Sequence, residues 1–206
     1  MKMRLTLLAT LLIFALGCST QSRVNSQHKQ PENKAVRAEA VAKPVEAQDS
    51  PQAQAMKGLR NRVLTSSAEE LGLSGEDAKA KVRGVVMEMA LPIGVATLVS
   101  FRDGTVSLYT STGGGILGGY SAQKEAKRFV AEAEKHLASM KPATSFPYPE
   151  ARHIKFYVLT HDGVQVAEVD EKEVQSAGHT LLPLFIAGNE VLTALRTANQ
   201  QAKPKN

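Results

Sequence analysis

The sequence predicts a mixed α+β fold: a five-stranded antiparallel sheet, made of a three-strand meander plus a hairpin, covered by helices. Residues 85–109 and 154–166 alternate apolar and polar side chains at the two-residue period of strands. Segments that begin near residues 122 and 182 instead repeat apolar side chains at helical spacing. Because these runs follow the order helices, three strands, helix, two strands, helix, an α+β sandwich is favoured.

Short helices are the first elements expected in the folded part, which we predict to begin near Met56. Leu59 and Val63 lie on one face of a helix. The following segments SSAEELGL and SGEDAKAKV each place a serine three residues before an acidic residue. This is the capping-box spacing that satisfies free backbone donors at a helix start.

The strands are predicted from alternation and from the turns between them. The turns of the meander are LPIG and RDG, and the turn of the later hairpin is HDG. The alternating positions of the meander are Val85, Met87 and Met89, then Val95, Thr97, Val99 and Phe101, then Val106 and Leu108. The alternating positions of the hairpin are Ile154, Phe156 and Val158, followed by Val164 and Val166.

Two longer helices complete the predicted domain. Ser121 is the expected N-cap of the middle helix, and Pro183 suits the first turn of the last helix. The order of elements resembles the profilin-like and roadblock-like folds, although those place two strands before the middle helix and three after it. This resemblance concerns the fold alone and implies no activity.

The first eighteen residues have the features of a bacterial export signal. Lys2 and Arg4 precede the apolar run LTLLATLLIFAL, which is too short to span a bilayer comfortably. The end of this segment, ALGCST, resembles the lipobox of bacterial lipoproteins, in which cleavage after Gly17 leaves a lipidated Cys18. With Ser19 next, the resemblance implies an exported protein anchored in the outer membrane of a two-membrane host. The alternative is an ordinary signal peptide with an incidental thiol.

Composition divides the remaining chain into a tether, a domain and a tail. From Ser19 to about Ala55 there is no Phe, Tyr, Leu or Ile, so this segment cannot bury enough apolar area to fold. We therefore predict a signal peptide at 1–17, a lipidated cysteine with a disordered tether at 18–55, one domain at 56–200 and a disordered tail at 201–206. The tether would span about 30–40 Å on average.

Charge and cysteine content exclude several classes of partner. Without Lys2 and Arg4, 23 basic residues stand against 20 acidic ones, an excess too small to indicate nucleic acid. Tryptophan is absent and aromatic residues are scarce, so platforms for stacking bases are not expected. Cys18 is the only cysteine, which excludes an internal disulfide and a cysteine-based metal cluster.

The segment STGGGILGGYSAQKEAKRF is the strongest candidate for a binding site. It contains the letters GxGxxG but follows the third strand of a meander, so it does not meet the strand-turn-helix context of a dinucleotide fingerprint. One interpretation is a connection whose glycines permit positive φ. The other is an anion-binding surface beside a helix start. The residues of this second interpretation are Gly113, Gly114, Gly115, Gly118, Gly119, Lys124, Lys127 and Arg128.

No other pattern in the chain indicates catalysis, a metal site or a cofactor. The histidines are scattered, and the motifs HExxH and GxSxG are absent. Glu88 is an acid inside an apolar run, either a buried functional carboxylate or a residue on the solvent face. Alternation places it opposite Met87 and Met89, which favours the solvent face.

Two classes of function remain open. The segment from Leu59 to Arg196, with VRGVVMEM, DGTVSLYTSTGGGILG, FYVLTHDG and LFIAGNEVLTALR, resembles a family of uncharacterised bacterial proteins, which implies one continuous domain and no assigned activity. We expect a non-enzymatic binding or scaffold module, joined to the membrane through Cys18, that contacts an anionic envelope component or a partner protein. The alternative is an enzyme whose site is assembled only by the fold.

Overall fold

Helix α1 begins the part of the chain that the computed structural model describes, residues 50–201. It starts at Pro51, inside the segment that composition predicts to be a tether. Ser50 accepts a hydrogen bond from the backbone N–H of Ala53, and the Ala53 side chain is buried. The predicted signal peptide, Cys18, the tether up to residue 49 and residues 202–206 lie outside the described residues.

The described chain contains five α-helices, a one-turn 3₁₀ helix and seven strands. The helices are α1 (Pro51–Thr65), α2 (Gly75–Lys79), α3 (Gln123–Lys135), α4 (Glu171–Val174) and α5 (Leu182–Gln201), with the 3₁₀ turn at Leu137–Ser139. The strands are β1 (Val82–Ala90), β2 (Val95–Phe101), β3 (Val106–Thr110), β4 (Gly115–Gly119), β5 (Lys141–Pro142), β6 (His153–Thr160) and β7 (Gly163–Asp170). No helix in this part of the chain combines the length and apolar character needed to cross a bilayer.

All seven strands form one antiparallel sheet in the order β4-β3-β2-β1-β6-β7-β5. The prediction of five strands is therefore wrong. The two additional strands are the edges, and each lacks the alternation that reveals a strand. Three of the five residues in β4 are glycine, and β5 has two residues, one of them Pro142. Proline suits an edge strand because it has no N–H to donate to a ladder.

One face of the sheet packs against α3 and α5. Val85 and Met87 of β1 point to this face, where Phe129 of α3 and Leu184 of α5 are completely buried. Gly188 lets α5 approach closely, because a methyl group there would lie 2.7 Å from the sulfur of Met87. This face contains the larger apolar core of the domain.

The second face packs against α1 and the segment that follows it. Val63 and Leu64 of α1 contact a core to which the sheet contributes Val86 and Tyr157. Residues 66–72 form turns rather than the predicted helix, although Ser67 and Glu70 exchange the reciprocal hydrogen bonds of a capping box. The central strands are consequently buried on both faces.

Candidate functional site

A row of polar side chains crosses the centre of the sheet on the face beneath α1. Thr97 lies opposite Glu88, Glu88 opposite Lys155, and Lys155 opposite Glu168. Tyr109 extends the row on the far side of Thr97. These five residues, here called the polar row, belong to five neighbouring strands.

Glu88 is completely buried at the centre of the polar row, so the prediction that it faces solvent is wrong. Alternation did place it opposite Met87, but α1 covers that face as well. Arg60 of α1 meets Glu88 with two hydrogen bonds, Nε to Oε1 at 2.5 Å and Nη2 to Oε2 at 2.8 Å. The sequence did show Glu88 as a carboxylate inside an apolar run, but it did not show that Arg60 would be its partner.

The remaining contacts of Arg60 join α1 to the loop before β6. Its Nη1 donates to the carbonyl of Phe146 at 2.9 Å, and its guanidinium lies 4.2 Å from the ring centroid of Tyr148. Burial opposes the positive charge, but the hydrogen bond to Glu88 raises the pKa of Arg60 above its ordinary value. Arg60 therefore stays positively charged and connects α1 to both the sheet and the loop before β6.

Two tyrosines beside the ion pair are held in the neutral form. Burial raises the pKa of Tyr157 to about 12, and the negative charge of Glu88 acts in the same direction. Burial, with a further contribution from Glu88, also raises the pKa of Tyr109 far above its ordinary value. The Tyr157 hydroxyl donates its proton in a hydrogen bond to the carbonyl of Pro147 at 2.6 Å. This bond holds the hydroxyl in place against the loop before β6.

Lys155 and Glu168 form the outer end of the polar row. Lys155 Nζ donates to Glu168 Oε2 at 2.8 Å and to the carbonyls of Pro147 and Tyr148. The other carboxylate oxygen of Glu168 accepts from the backbone N–H of Glu150 at 2.8 Å. The three protons of the ammonium group are thus matched by three acceptors, and this pair holds the loop over the sheet.

The polar row ends in a cleft of about 630 Å³, here called the β7 cleft. Lys155 and Glu168 form part of its wall. The other residues that line it include Lys141, Thr144, Ser145, Glu173 and His179. Sequence reasoning singled out none of these residues as a site, because they come from five separate segments that only the fold brings together.

The backbone of β7 is open toward this cleft. Strand β5 pairs only with Gln165 and Val166, and the N–H of Ala143 donates to the carbonyl of Val164. In an antiparallel ladder alternate residues direct both backbone groups to the same side. Val164 and Val166 direct their backbone groups toward β5. By the same alternation, the backbone N–H and C=O of Glu168 point away from β6 and toward the β7 cleft.

Ser139 and His179 of the β7 cleft do not form a nucleophile-base pair. Ser139 Oγ donates to the carbonyl of His136 at 2.8 Å, and His179 Nδ1 accepts from the N–H of Leu181 at 3.2 Å. Covalent catalysis requires a hydrogen bond from the nucleophile to its base. Ser139 and His179 are therefore each bonded to the backbone and not to each other.

The structure separates the parts of the predicted glycine-rich site. Gly113 and Gly114 lie in the turn before β4, whereas Gly115, Gly118 and Gly119 belong to β4 itself. The five residues of β4 span about 15 Å, so the turn and the start of α3 lie at opposite ends of the strand. Gly118 donates its N–H to Ser107 Oγ, and Ala122, not the predicted Ser121, occupies the N-cap of α3.

The three basic residues of the predicted site are exposed on α3. Arg128 is paired with Glu190 of α5 at 3.0 Å, and Lys124 and Lys127 are exposed beside it. Lys127 also lies by the β2-β3 turn, since a methyl group at Gly104 would be 3.1 Å from its Cε. Anion binding by this surface stays a prediction, limited to Gly118, Gly119 and the start of α3.

Within residues 50–201, no three side chains of the metal-ligating types His, Cys, Asp and Glu come close enough to hold an ion. His136 contacts Glu132 at 3.1 Å, and His161 contacts Asp162 at 3.2 Å. His28 and Cys18 lie outside the described residues.

Comparison of the chain with family models, with curated proteins and with solved structures found no match. The resemblance of residues 59–196 to an uncharacterised bacterial family therefore stays a prediction. Function has to be argued from the site itself.

Proposed function

We propose that this protein is an exported, lipid-anchored envelope protein whose domain binds an extended segment of a partner protein in the β7 cleft, without enzymatic chemistry. The observation that carries this proposal is the open backbone of β7 at Glu168, where the ladder with β5 has stopped. An extended chain satisfies such an edge by adding a strand. The proposed anchor rests on the charged start, apolar run and ALGCST sequence around Cys18.

The polar row supports this choice of site by making the cleft wall rigid. Lys155 and Glu168 hold each other and the 147–150 loop through four hydrogen bonds. A preorganised wall lowers the entropy lost when a ligand docks. Ala167 and Val169 add apolar lining, and Lys141 and Glu173 supply opposite charges at the opening.

The anchor is tested by metabolic labelling with a fatty acid. The wild-type chain should incorporate the label, and mass analysis should find it on Cys18. The Cys18→Ser variant should incorporate none, since serine cannot form the thioether of a lipoprotein. Equal labelling of both chains would disprove the anchor.

The binding site is tested by photo-cross-linking in intact envelopes. A photoreactive side chain at Ser145, which lines the cleft, should yield a discrete adduct with a partner protein. The same group at Glu76, exposed on α2, serves as the matched control. Adding Ser139→Trp should fill the cleft and abolish the adduct at Ser145. Identical products from both positions, or no effect of the tryptophan, would refute the site.

A further inference from the structure

The turn between β1 and β2 presents three consecutive apolar residues, Leu91, Pro92 and Ile93, to solvent. Ile93 is 76% exposed and Leu91 is 42% exposed. The N–H of Leu91 donates to the carbonyl of Gly94, which closes the turn and leaves Pro92 and Ile93 at its tip. Single apolar residues are common on protein surfaces, so exposure alone does not indicate a contact site. The position of this turn in the domain is the additional evidence.

The turn lies at the place where the chain enters the domain. Its Gly94 adjoins the β3-β4 turn, because a methyl group there would lie 2.6 Å from Ser111 Oγ. Gly113 of that second turn adjoins the start of α1, since its added methyl group would lie 3.0 Å from Gln52 Cβ. The entering chain at Ser50 and the two turns therefore form one corner of the domain.

This corner differs in charge from the opposite end of the same strands. The turns at the opposite end carry Arg102, Asp103, His161 and Asp162, whereas residues 91–94 and 111–114 carry no charge. On the side of β6 and β7 the entry end does carry Arg152, which is exposed. The two turns beside the entering chain are thus uncharged.

We propose that Leu91, Pro92 and Ile93 contact the lipid bilayer and orient the domain on it, an inference that rests on the proposed anchor at Cys18. The occupant is a lipid surface because the 31 residues between Cys18 and Ser50 join this same corner to the acyl chains. The tether that composition predicts there would span about 30 Å. A tether of this reach gives the turn an effective concentration near the membrane of about millimolar order, so weak apolar insertion is enough.

The test uses the lipidated full chain in vesicles of phosphatidylethanolamine and phosphatidylglycerol. In the processed protein Cys18 is blocked, so Ile93→Cys carries a single fluorescent label. Asp162→Cys, in a turn at the opposite end of the sheet and also exposed, is the matched control. Nitroxide groups on the acyl chains should quench the label at 93 several-fold more strongly than the label at 162.

The outcomes separate the turn from the anchor. Equal quenching at 93 and 162 in a sample that floats with vesicles, with acylated Cys18 found by mass analysis, overturns the inference and leaves the anchor standing. A blue-shifted label at 93 without nitroxide quenching indicates a protein contact and also overturns it. A chain that carries no acyl group and does not float overturns both proposals.

Discussion

Arg60 and Glu88 form a buried ion pair. Either charge alone would destabilise this core, whereas together the two groups satisfy each other's charge and hydrogen bonds. Both side chains are almost completely buried, and the carboxylate also accepts from Thr97 Oγ1 at 3.2 Å. We expect Arg60→Ala to destabilise the domain by about 3–5 kcal/mol, because it leaves Glu88 as an uncompensated buried charge. Urea unfolding followed by circular dichroism measures this difference.

Arg102 provides the control for that prediction. Its contacts with Asp77 and Glu134 are 3.9 and 3.6 Å long, and its side chain is 40% exposed. Arg102→Ala should cost about 1 kcal/mol or less, as exposed ion pairs do. The double variant Arg60→Met/Glu88→Met should recover much of the stability lost by Arg60→Ala. Similar losses for the two alanine variants would contradict the importance of the buried pair.

Tyr157 makes the stability of the domain depend on alkaline pH. Burial and Glu88 raise its pKa from 10.0 to about 12, so the folded state keeps a proton that the unfolded state releases. The stabilisation is complete below pH 10 and is lost as pH rises toward 12. We expect the urea midpoint to fall across this interval and to fall less steeply for Tyr157→Phe. A urea midpoint that is the same at pH 10 and at pH 12 would contradict the burial of the Tyr157 phenol.

At the level of an element, strand β4 shows how glycine permits the close pairing of two strands. Gly115 has φ +150°, and a methyl group there would lie 2.3 Å from the carbonyl oxygen of Leu108. Gly114 has φ +82° but open space around it. Gly114→Ala should therefore cost about 1–2 kcal/mol from its left-handed backbone alone. Gly115→Ala should cost more, because β3 and β4 must also move apart.

Thermal unfolding of the two variants tests this comparison. Hydrogen exchange at Leu108 and Ile116 should also accelerate in Gly115→Ala and not in Gly114→Ala, since these two residues pair between β3 and β4. Equal thermal midpoints for the two variants would show that the edge strand does not need the close approach at Gly115.

For the whole molecule, the start of α1 at Pro51 leads us to propose a domain boundary before this helix instead of at Met56. Ser50 caps α1 and Ala53 is buried, so a chain that begins at Glu46 should keep the full thermal midpoint. A chain that begins at Met56 loses the cap, Pro51 and the first turn, and it should lose about 1–2 kcal/mol from the cap alone. Differential scanning calorimetry of the two chains tests the two boundaries. Equal thermal midpoints would support the boundary at Met56.

The two proposed contact surfaces lie at different positions across the sheet. The corner where the chain enters adjoins β3 and β4, whereas the β7 cleft adjoins β7 and β5. Strands are spaced by about 4.8 Å, so β1, which leads into the turn with Leu91, lies about 10 Å from β7 across the sheet. Met89 aligns with Ile154, and Ile154 aligns with Val169 of the cleft, so a partner bound there would lie close to a bilayer that the β1-β2 turn contacts.

The sequence by itself determined the α+β class, the positions of the alternating strands β1 to β3, β6 and β7, and the start of α5 near Pro183. These features depend on periodicities within one segment, which neighbouring residues display directly. It also supplied the ALGCST pattern, whose consequence for Cys18 stays a prediction. Only the tertiary structure decided that β4 and β5 are strands, because glycine and a two-residue segment show no period. It also decided the environment of Glu88, since burial depends on α1 covering the second face of the sheet. The β7 cleft has the same cause: its side chains come from segments distant in sequence, and their proximity exists only after the sheet has formed.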